Sequence, residues 1–321
     1  MISALVGYGY WGQVLGRKLE SSSLFQLKYI CDLEEDTFSS LSVIFTTDYQ
    51  RILLDDNVKV VFIAVPPAEH YLVAKDALTY GKHVWLEKPC CLHLEEFKHL
   101  KHQAFESRKA LHLGFISRFS PKIIAMKEHG HRHFNSVTQH RLFSVRENRG
   151  HVGAGGHRPL DLVYDLGIHD LSIIKFFYPH MSLDEVTVTF EMLEEGQSKD
   201  DQTHTKRWVL ELEHASLSAT IYLSWCSNQK KRDIYWDDHQ SKLRLSFVTS
   251  EAGLGSECLF SRDQQGEYEI ITNDTHDAIE LALLSFHGDI QRQVPSQELI
   301  EIAEFCHGLV ERLKSSYIEP R

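Results

Sequence analysis

The feature that most constrains this chain is a glycine-rich turn near its start, in "ALVGYGYWGQVLG", residues 4–16. Gly7 directly follows an apolar run that predicts a β-strand, and Gly12 falls in the first turn of a segment with helical apolar spacing. Between a strand and a helix, the first glycine permits the tight bend, Gly9 lets a pyrophosphate approach the backbone, and the third lets helix and strand pack closely. The spacing alone is weak evidence, so its meaning depends on the surrounding sequence.

An acidic residue follows at the expected place. Asp32 ends the second predicted strand, "LKYICD", where a carboxylate can accept both ribose hydroxyls of an adenosine. Glu34, Glu35 and Asp36 add negative charge and no arginine follows directly, so a 2′-phosphate would be repelled. The sequence therefore predicts a dinucleotide site that takes NAD in preference to NADP.

Strands and helices alternate through the first third of the chain. The predicted strands are "ISALVG", "LKYICD", "VKVVFIAVP", "HVWLE" and "ALHLGF", and helical patterns such as "AEHYLVAKDALTYG", closed by Gly81, lie between them. This alternation predicts βαβ units and hence an α/β domain with a doubly wound parallel sheet, residues 1–117.

Beyond residue 118 the pattern changes. A helix at about 121–128 is followed by the strand "FNSVTQHRLFSVRE", a glycine-rich loop and a helix over about 160–177. Several alternating segments then predict an antiparallel sheet with one packed and one available face, and two amphipathic helices near 275–287 and 296–315 finish the chain. We expect residues 118–321 to form a second, α+β domain.

Composition excludes some classes of function. The net charge of -11 without a basic block argues against a nucleic-acid binder, and no apolar stretch reaches the ~18 residues of a membrane span. Without a cationic leader the protein is expected in the cytosol, with its six scattered cysteines reduced and mostly buried. His129, His131 and His133 alternate in "EHGHRHF", which we interpret as a solvated polar segment on a turn or strand start; no metal site is predicted.

Two further stretches carry groups suited to chemistry. Glu87-Lys88-Pro89 lies at the carboxyl end of a predicted strand, where open α/β sheets bind ligands. Asp165 and His169 are four residues apart on a predicted helix and share a face, which suits an imidazole that moves a proton beside a carboxylate. Taken alone, the residues leave open an ordinary surface lysine and an ordinary surface pair.

Together these motifs resemble the family of glucose–fructose oxidoreductase, inositol dehydrogenase and the rhizopine-catabolism proteins (Gfo/Idh/MocA). The similarity runs through "GYGYWG", "IAVPPAEH", "GKHVWLEKP", "GFISRFSP" and "YDLGIHDLSII" to "LSWCSNQKKR", nearly the whole chain. It implies a Rossmann domain followed by a domain with a large, mostly antiparallel sheet that often forms the interface of a homodimer or homotetramer. It also implies that the Lys88-Pro89 bond is cis. The implied cofactor-lining residues are Gly7, Tyr8, Gly9, Tyr10, Trp11, Gly12, Asp32, Ala64, Val65, Pro66, His70, Glu87 and Lys88.

The resemblance also implies a reaction. Lys88, Asp165 and His169 match the catalytic lysine, aspartate and histidine of the family. His169 would take the proton of a sugar or polyol hydroxyl and Lys88 would hydrogen-bond the same oxygen, while a hydride passes from carbon to the nicotinamide. In the reducing direction His169 would act as the acid.

Within the family the chain looks most like enzymes of nucleotide-linked sugars. Cations would then bind the diphosphate, and the substrate-binding candidates, besides Lys88, Asp165 and His169, are Arg118, Arg146 and Asn148, with Lys230, Lys231 and Arg232. The extra glycines before Asp165 and the missing proline after Trp225 depart from that branch and leave the sugar open. A polyol or free-sugar dehydrogenase, an enzyme that uses bound NAD for glycoside cleavage or epimerisation without net redox, and a regulator without turnover are alternatives; the Lys88, Asp165 and His169 set disfavours the regulator.

Overall fold

A computed structural model describes residues 1–34, 43–133, 139–149, 162–197, 204–227, 231–238, 242–246, 258–262, 268–272 and 276–316. The chain forms two compact units: Met1–Ile116 with Asp277–Glu304, and Ser117–His276 with Phe305–Arg321. The division expected from the sequence placed all of 118–321 in the second domain. In the structure, Asp277–Glu304 packs with the first unit.

The first unit contains a six-stranded sheet in the order β3-β2-β1-β4-β5-β6. Every neighbouring pair is parallel, and this is the doubly wound order of dinucleotide-binding domains, as predicted. Its central strand β4 is buried along its whole length because helices cover both faces of a parallel sheet. The strands are β1 (Ile2–Val6), β2 (Gln26–Cys31), β3 (Ile44–Thr46), β4 (Val60–Ile63), β5 (His83–Leu86) and β6 (Leu111–Leu113).

The α-helices of the described residues are α1 (Tyr10–Glu20), α2 (Tyr49–Leu54), α3 (Pro67–Thr79), α4 (Leu94–Ser107), α5 (Pro121–His133), α6 (Ile168–Phe177), α7 (Ala278–Arg292) and α8 (Gln297–Ser316). α3 is followed by Gly81 at φ +69°, the left-handed backbone that favours glycine just after a helix. The short β3 and α2 were not among the predicted elements.

Helix α7 completes the core of the first unit. The ring centre of Phe286 lies 5.8 Å from the ring centres of Phe25, Phe62 and Trp85. Phe25 directly precedes β2, Phe62 lies on β4 and Trp85 lies on β5. At the start of α7, Lys18 of α1 pairs with Asp277 at 2.8 Å and with Glu280 at 2.9 Å. Aromatic packing of this kind explains why this late segment belongs to the first unit.

The second unit is built on an eight-stranded sheet in the order β14-β13-β12-β11-β7-β10-β9-β8. β7 and β10 run parallel and the other neighbouring pairs are antiparallel, which confirms a large, mostly antiparallel sheet. The strands are β7 (His140–Arg149), β8 (Thr187–Gln197), β9 (His204–His214), β10 (Leu217–Ser227), β11 (Lys231–Asp237), β12 (Lys242–Ser246), β13 (Cys258–Arg262) and β14 (Tyr268–Thr272).

The two faces of this sheet differ. One face packs on helices: the Trp236 ring lies 4.6 Å from Phe177 of α6, and a Cβ on Gly130 of α5 would come within 2.1 Å of that indole. On the other face, Phe143 remains 38% exposed with its ring 5.1 Å from that of Tyr222. The expected sheet with one packed and one available face is therefore present.

The three alternating histidines lie on a helix, and their expected place on a turn or strand start is wrong. α5 continues to His133, and the Nε2 atom of His131 contacts the carbonyl oxygen of Phe177 at 3.0 Å. Apolar packing of Gly130 on Trp236 extends the helix beyond its predicted end at residue 128. Across the described ranges, no group of three or more His, Cys, Asp or Glu residues is arranged to hold a metal ion.

No helix in the part of the chain that the structure describes is long and apolar enough to cross a membrane. Cys31, Cys90, Cys91 and Cys306 are buried free thiols, as the sequence predicts for most of the cysteines.

Candidate functional site

The glycine turn joins β1 to α1, and two of its glycines are required by close packing. A Cβ on Gly7, whose φ is +94°, would lie 2.5 Å from the carbonyl carbon of Ala64. A Cβ on Gly12 would lie 2.1 Å from the carbonyl oxygen of Gly7. A Cβ on Gly9 would meet nothing within 4 Å. The turn thus packs tightly against β4 on one side and leaves open space at Gly9, the position that a pyrophosphate would approach.

The N-terminus of α1 suits an anion. Its N-cap is Gly9, no side chain caps it, and its first turn contains no acidic residue. The backbone N–H groups of that turn and the helix dipole are therefore available to a phosphate. Tyr10, the first helical residue, is 87% exposed beside this end.

Asp32 is oriented by two backbone hydrogen bonds. The N–H of Tyr8 donates to its Oδ2 atom, and the N–H of Leu33 donates to its Oδ1 atom at 2.6 Å. The carboxylate is thereby tied to the glycine turn itself, which fits a residue that accepts ribose hydroxyls beside the pyrophosphate. Glu35 and Asp36, which were expected to add charge here, lie outside the described residues.

The segment after β4 is held to the segment after β5 by His70. His70 is 1% exposed, and its Nδ1 and Nε2 atoms lie 2.7 Å from the Pro89 oxygen and 2.8 Å from the Val65 oxygen. Burial lowers the pKa of His70, while the two carbonyl contacts act in the opposite direction. Although His70 was predicted to line the cofactor, both of its ring nitrogens are engaged by backbone carbonyls.

The carboxyl end of β5 presents Lys88. From Val84 to Cys91 every residue is buried except Lys88, which is half-buried, and the Lys88-Pro89 peptide is cis, as the resemblance implies. A lone partly exposed lysine in a buried stretch is unlike an ordinary surface lysine, because lysine avoids such positions unless they open on a cleft or a partner.

Glu87 supports this strand end from inside. It is 4% exposed, its Oε1 atom accepts the Trp85 indole N–H at 2.9 Å, and its Oε2 atom accepts the Lys88 N–H at 3.4 Å. Burial raises the pKa of Glu87, whereas the indoles of Trp11 and Trp85 and the charge of Lys88 act to lower it. Glu87 therefore anchors the strand end.

In the second unit, Asp165 and His169, like Lys88, reach solvent from a buried stretch. Across residues 162–174, only Asp165, which is exposed, and His169, which is half-buried, reach solvent. The predicted single helix is in fact a π-helical turn, Val163–Gly167, followed by α6. Such wide turns often occur at functional sites, and here Gly167 brings the backbone close to β10, since its Cβ would lie 3.1 Å from Leu223.

The remaining predicted substrate residues have varied surroundings. The Arg118 guanidinium lies 4.3 Å from the centre of the Phe176 ring, and Arg146 is 5% exposed and pairs with Asp170. Arg232 lies opposite Arg146 in the β11–β7 register, and Lys231 is exposed. The side chain of Asn148 and all of Lys230 lie outside the described residues.

Asp170 and Trp85, which contacts Glu87, were not predicted as site residues. A signal for Asp170 was present, because a carboxylate inside the apolar helix "IHDLSIIKFF" requires a buried partner. No sequence signal distinguished Trp85 from an ordinary core residue.

The first unit matches a known family. Residues 2–115 match the Gfo/Idh/MocA family, described as "Oxidoreductase family, NAD-binding Rossmann fold". The match covers the part of the chain that holds the glycine turn and Glu87-Lys88-Pro89, and the family is the one that the sequence motifs indicate.

Individual proteins are similar over different lengths. The uncharacterized oxidoreductase YrbE of Bacillus subtilis is 24% identical over 55% of this chain and 53% of its own length. UDP-N-acetylglucosamine 3-dehydrogenase of Acidithiobacillus ferrooxidans is 30% identical over 36% of this chain and 34% of its own length. The chain thus spans about half or less of the curated relatives it matches.

Two solved structures share the fold over nearly the whole chain. The dehydrogenase from A. ferrooxidans, GnnA, has a TM-score of 0.74 at 19% identity and covers 96% of this chain and 95% of its own. KijD10 of Actinomadura kijaniata, a 3-ketoreductase in complex with NADP and TDP-benzene, has a TM-score of 0.81 at 14% identity and covers 98% and 97%. At these identities the similarity establishes the fold alone.

Proposed function

We propose that this protein is a NAD(P)-dependent oxidoreductase that acts on a hydroxyl or keto carbon of a sugar, and that the sugar is nucleotide-linked. The observation that carries the proposal is the exposure of three residues. Lys88 in the first unit, and Asp165 and His169 in the second, are the residues that reach solvent within otherwise buried stretches. Ionisable side chains that reach solvent from an otherwise buried stretch are typical of catalytic groups.

The glycine turn and Asp32 would hold the cofactor. The open space at Gly9 and the uncapped start of α1 fit its pyrophosphate, and the oriented Asp32 carboxylate fits its adenosine ribose. When bound, the nicotinamide accepts or donates a hydride. The charge of Asp32 favours NAD, although the KijD10 complex contains NADP.

Three residues have proposed chemical roles. His169 removes the proton of the substrate hydroxyl, or returns it in the reducing direction, since a histidine is suited to proton transfer near neutral pH. Lys88 donates a hydrogen bond to the same oxygen and stabilises its developing negative charge. Asp165 orients the imidazole or hydrogen-bonds the substrate.

A nucleotide-linked sugar is the proposed substrate because two proteins of the same fold are named for such chemistry, a UDP-N-acetylglucosamine 3-dehydrogenase and a 3-ketoreductase bound to TDP-benzene. Arg118, Asn148, Lys231 and Arg232 remain candidates for binding its diphosphate. The buried ion pair of Arg146 makes it a weaker candidate.

A ligand panel followed by a turnover assay tests this function. NAD, NADP and a set of nucleotide sugars, free sugars and polyols are first screened for a rise in melting temperature, because a ligand of the native state stabilises it. Nicotinamide absorbance then reports turnover on each stabilising sugar. Stabilisation by NAD and turnover of a nucleotide sugar are expected. If only polyols gave a response, the substrate would be a polyol and not a nucleotide-linked sugar. If the cofactor stayed tightly bound and no net NADH were released, glycoside cleavage or epimerisation would be favoured.

We also propose a homodimer or homotetramer formed through the available face of the second sheet. That face carries the adjoining rings of Phe143, Tyr222 and Tyr235, with Phe143 5.1 Å from Tyr222 and 5.8 Å from Tyr235. Aromatic residues are enriched where proteins associate. A cytosolic location is part of the same proposal, supported by the buried free thiols.

A further inference from the structure

The residue after His169 is a buried charge with two specific partners. Asp170 is 1% exposed; Arg146 Nε donates to its Oδ2 atom, and Ser144 Oγ donates to its Oδ1 atom at 2.7 Å. Ser144 and Arg146 are two apart on β7 and therefore share the face that packs on α6. Both carboxylate oxygens of Asp170 are thus fixed by one strand.

Helix α6 is tied to β7 at its other end as well. The hydroxyl of Tyr178, the C-cap of α6, lies 2.7 Å from Nδ1 of His140 on β7 and accepts the Trp236 indole N–H at 3.0 Å. The two contacts differ in their distance from His169. Tyr178 lies at the opposite end of α6, whereas Asp170 is the next residue after His169.

The tie at Asp170 restrains the rotation of the first turn of α6. Successive helical residues differ by about 100° around the axis, so an Asp170 that points into the sheet places His169 at the side of the helix, where it is half-buried. Ser172 Oγ donates to the His169 carbonyl oxygen at 2.6 Å within this turn. The preceding π-helical turn, Val163–Gly167, departs from the α-helical register.

Stability alone does not account for a charged pair at this position. Replacing a buried ion pair by apolar residues of similar volume is often neutral or stabilising, because the desolvation of two charges offsets their attraction. What an apolar pair cannot supply is direction, since hydrogen bonds to both carboxylate oxygens fix a geometry that apolar contacts leave loose.

We propose that Asp170, held by Arg146 and Ser144, is a positioning residue that sets the orientation of the His169 imidazole. The inference rests on the proposed acid–base role of His169. It gives Arg146, predicted from the sequence to bind substrate, a structural task within the second unit.

The experiment compares Asp170→Asn and the apolar double variant Arg146→Met with Asp170→Leu against wild type. Tyr178→Phe is the matched control, because it loosens the same helix from the same strand at the opposite end. We expect the two Asp170 variants to lose about 10- to 100-fold in kcat, in the range that misplacing a catalytic group produces, with an unchanged Kd for NAD. Tyr178→Phe should retain kcat within about twofold, because any loss of melting temperature that it causes leaves the contacts of Asp170 intact.

A second measurement does not require turnover. The imidazole ¹⁵N and ¹H signals of His169, identified by their absence in His169→Gln, should shift or divide in both Asp170 variants and stay in place in Tyr178→Phe. Signals and kcat that are unchanged in folded Asp170 variants, or changed equally in Tyr178→Phe, would overturn the proposal. Should both Asp170 variants fail to fold, Ser144→Ala removes one of the two side-chain hydrogen bonds to Asp170, and an unmoved His169 signal there would count against the proposal. Wild-type protein without turnover on any sugar would refute the proposed function, whereas the His169 signals would still decide the positioning role.

Discussion

Asp32 and Tyr8 are joined across the first βαβ crossover: the backbone N–H of Tyr8 donates to the Asp32 carboxylate. Because Tyr8 lies between Gly7 and Gly9, the residue that would bind ribose is held by the turn that would bind pyrophosphate. The two parts of the candidate cofactor site therefore share one rigid support.

Asp32→Asn should weaken NAD binding and relax the preference against NADP. Hydrogen bonds that involve a charged group contribute about 1.5–3 kcal/mol, so an increase of about tenfold or more in the Kd for NAD is expected. Isothermal titration calorimetry with NAD and with NADP measures the ratio of the two affinities. A ratio of affinities unchanged by the substitution would contradict the role given to Asp32.

Two glycine substitutions in the same turn should have opposite profiles. Gly9→Ala meets nothing within 4 Å, so the free energy of unfolding should change by less than about 1 kcal/mol while NAD binding weakens. Gly7→Ala places a Cβ 2.5 Å from Ala64 at φ +94° and should destabilise the protein itself. Urea unfolding and NAD titration separate the effects. If Gly9→Ala bound NAD as tightly as wild type, the open space above Gly9 would not be the pyrophosphate site.

Lys88→Ala and His169→Ala should each reduce turnover by at least ~10², the usual size of an acid–base contribution, and leave NAD binding largely intact. Steady-state kinetics with the substrate identified in the panel gives the comparison. Lys98→Ala is the control, since Lys98 is 52% exposed and pairs with Glu95 on the surface of α4. Turnover near the wild-type value in both site variants would refute the assignment.

The buried His307 of α8 should make the protein less stable in acid. Burial lowers the pKa of His307 from 6.5 to about 4. Between those values the unfolded state binds more protons, so the free energy of unfolding falls as the pH falls through this window. At pH 5 the loss amounts to about 2 kcal/mol.

Urea unfolding at pH 7 and pH 5 measures this dependence. It should diminish in His307→Phe and persist in His102→Gln, a substitution at a side chain that is 71% exposed. An equal pH dependence in wild type and His307→Phe would show that other groups cause it.

Phe143→Asp should dissociate the proposed oligomer. The substitution puts a charge among the aromatic rings on the available sheet face, and a buried unpaired charge is strongly unfavourable. Light scattering coupled to size-exclusion chromatography should show the mass of a monomer, with the helical content unchanged. Thr187→Asp, at the exposed edge strand β8, is the control. A monomeric wild type would refute the interface directly.

Much of the fold was predictable because local patterns determine it. The strand order of the first unit follows from alternating apolar strands and helices, and Gly7, Gly12 and Gly81 lie where their backbone or packing requires glycine. The sequence motifs also predicted Lys88, Asp165 and His169 as site residues. Their exposure within buried stretches could not be predicted from local patterns.

The remaining features depend on contacts distant in sequence. The π-helical turn before His169 reflects the packing of Gly167 on Leu223 of β10. Helix α7 joins the first unit because Phe286 fits the ring cluster of Phe25 and Trp85. The burial of Arg146 depends on Asp170, a partner that charge counting does not identify.

Phe286 is synthesised long after the six strands of the first sheet, which has a consequence for folding during synthesis. A nascent chain that has emerged from the ribosome only as far as residue 116 has all six strands of its first sheet but leaves Phe25, Phe62 and Trp85 without the ring that covers them. Domains usually fold in order as they are synthesised, but here the first unit can complete its core only after the intervening residues Ser117–His276 have been translated. During that interval this apolar part of the sheet lacks the aromatic ring that covers it in the folded unit.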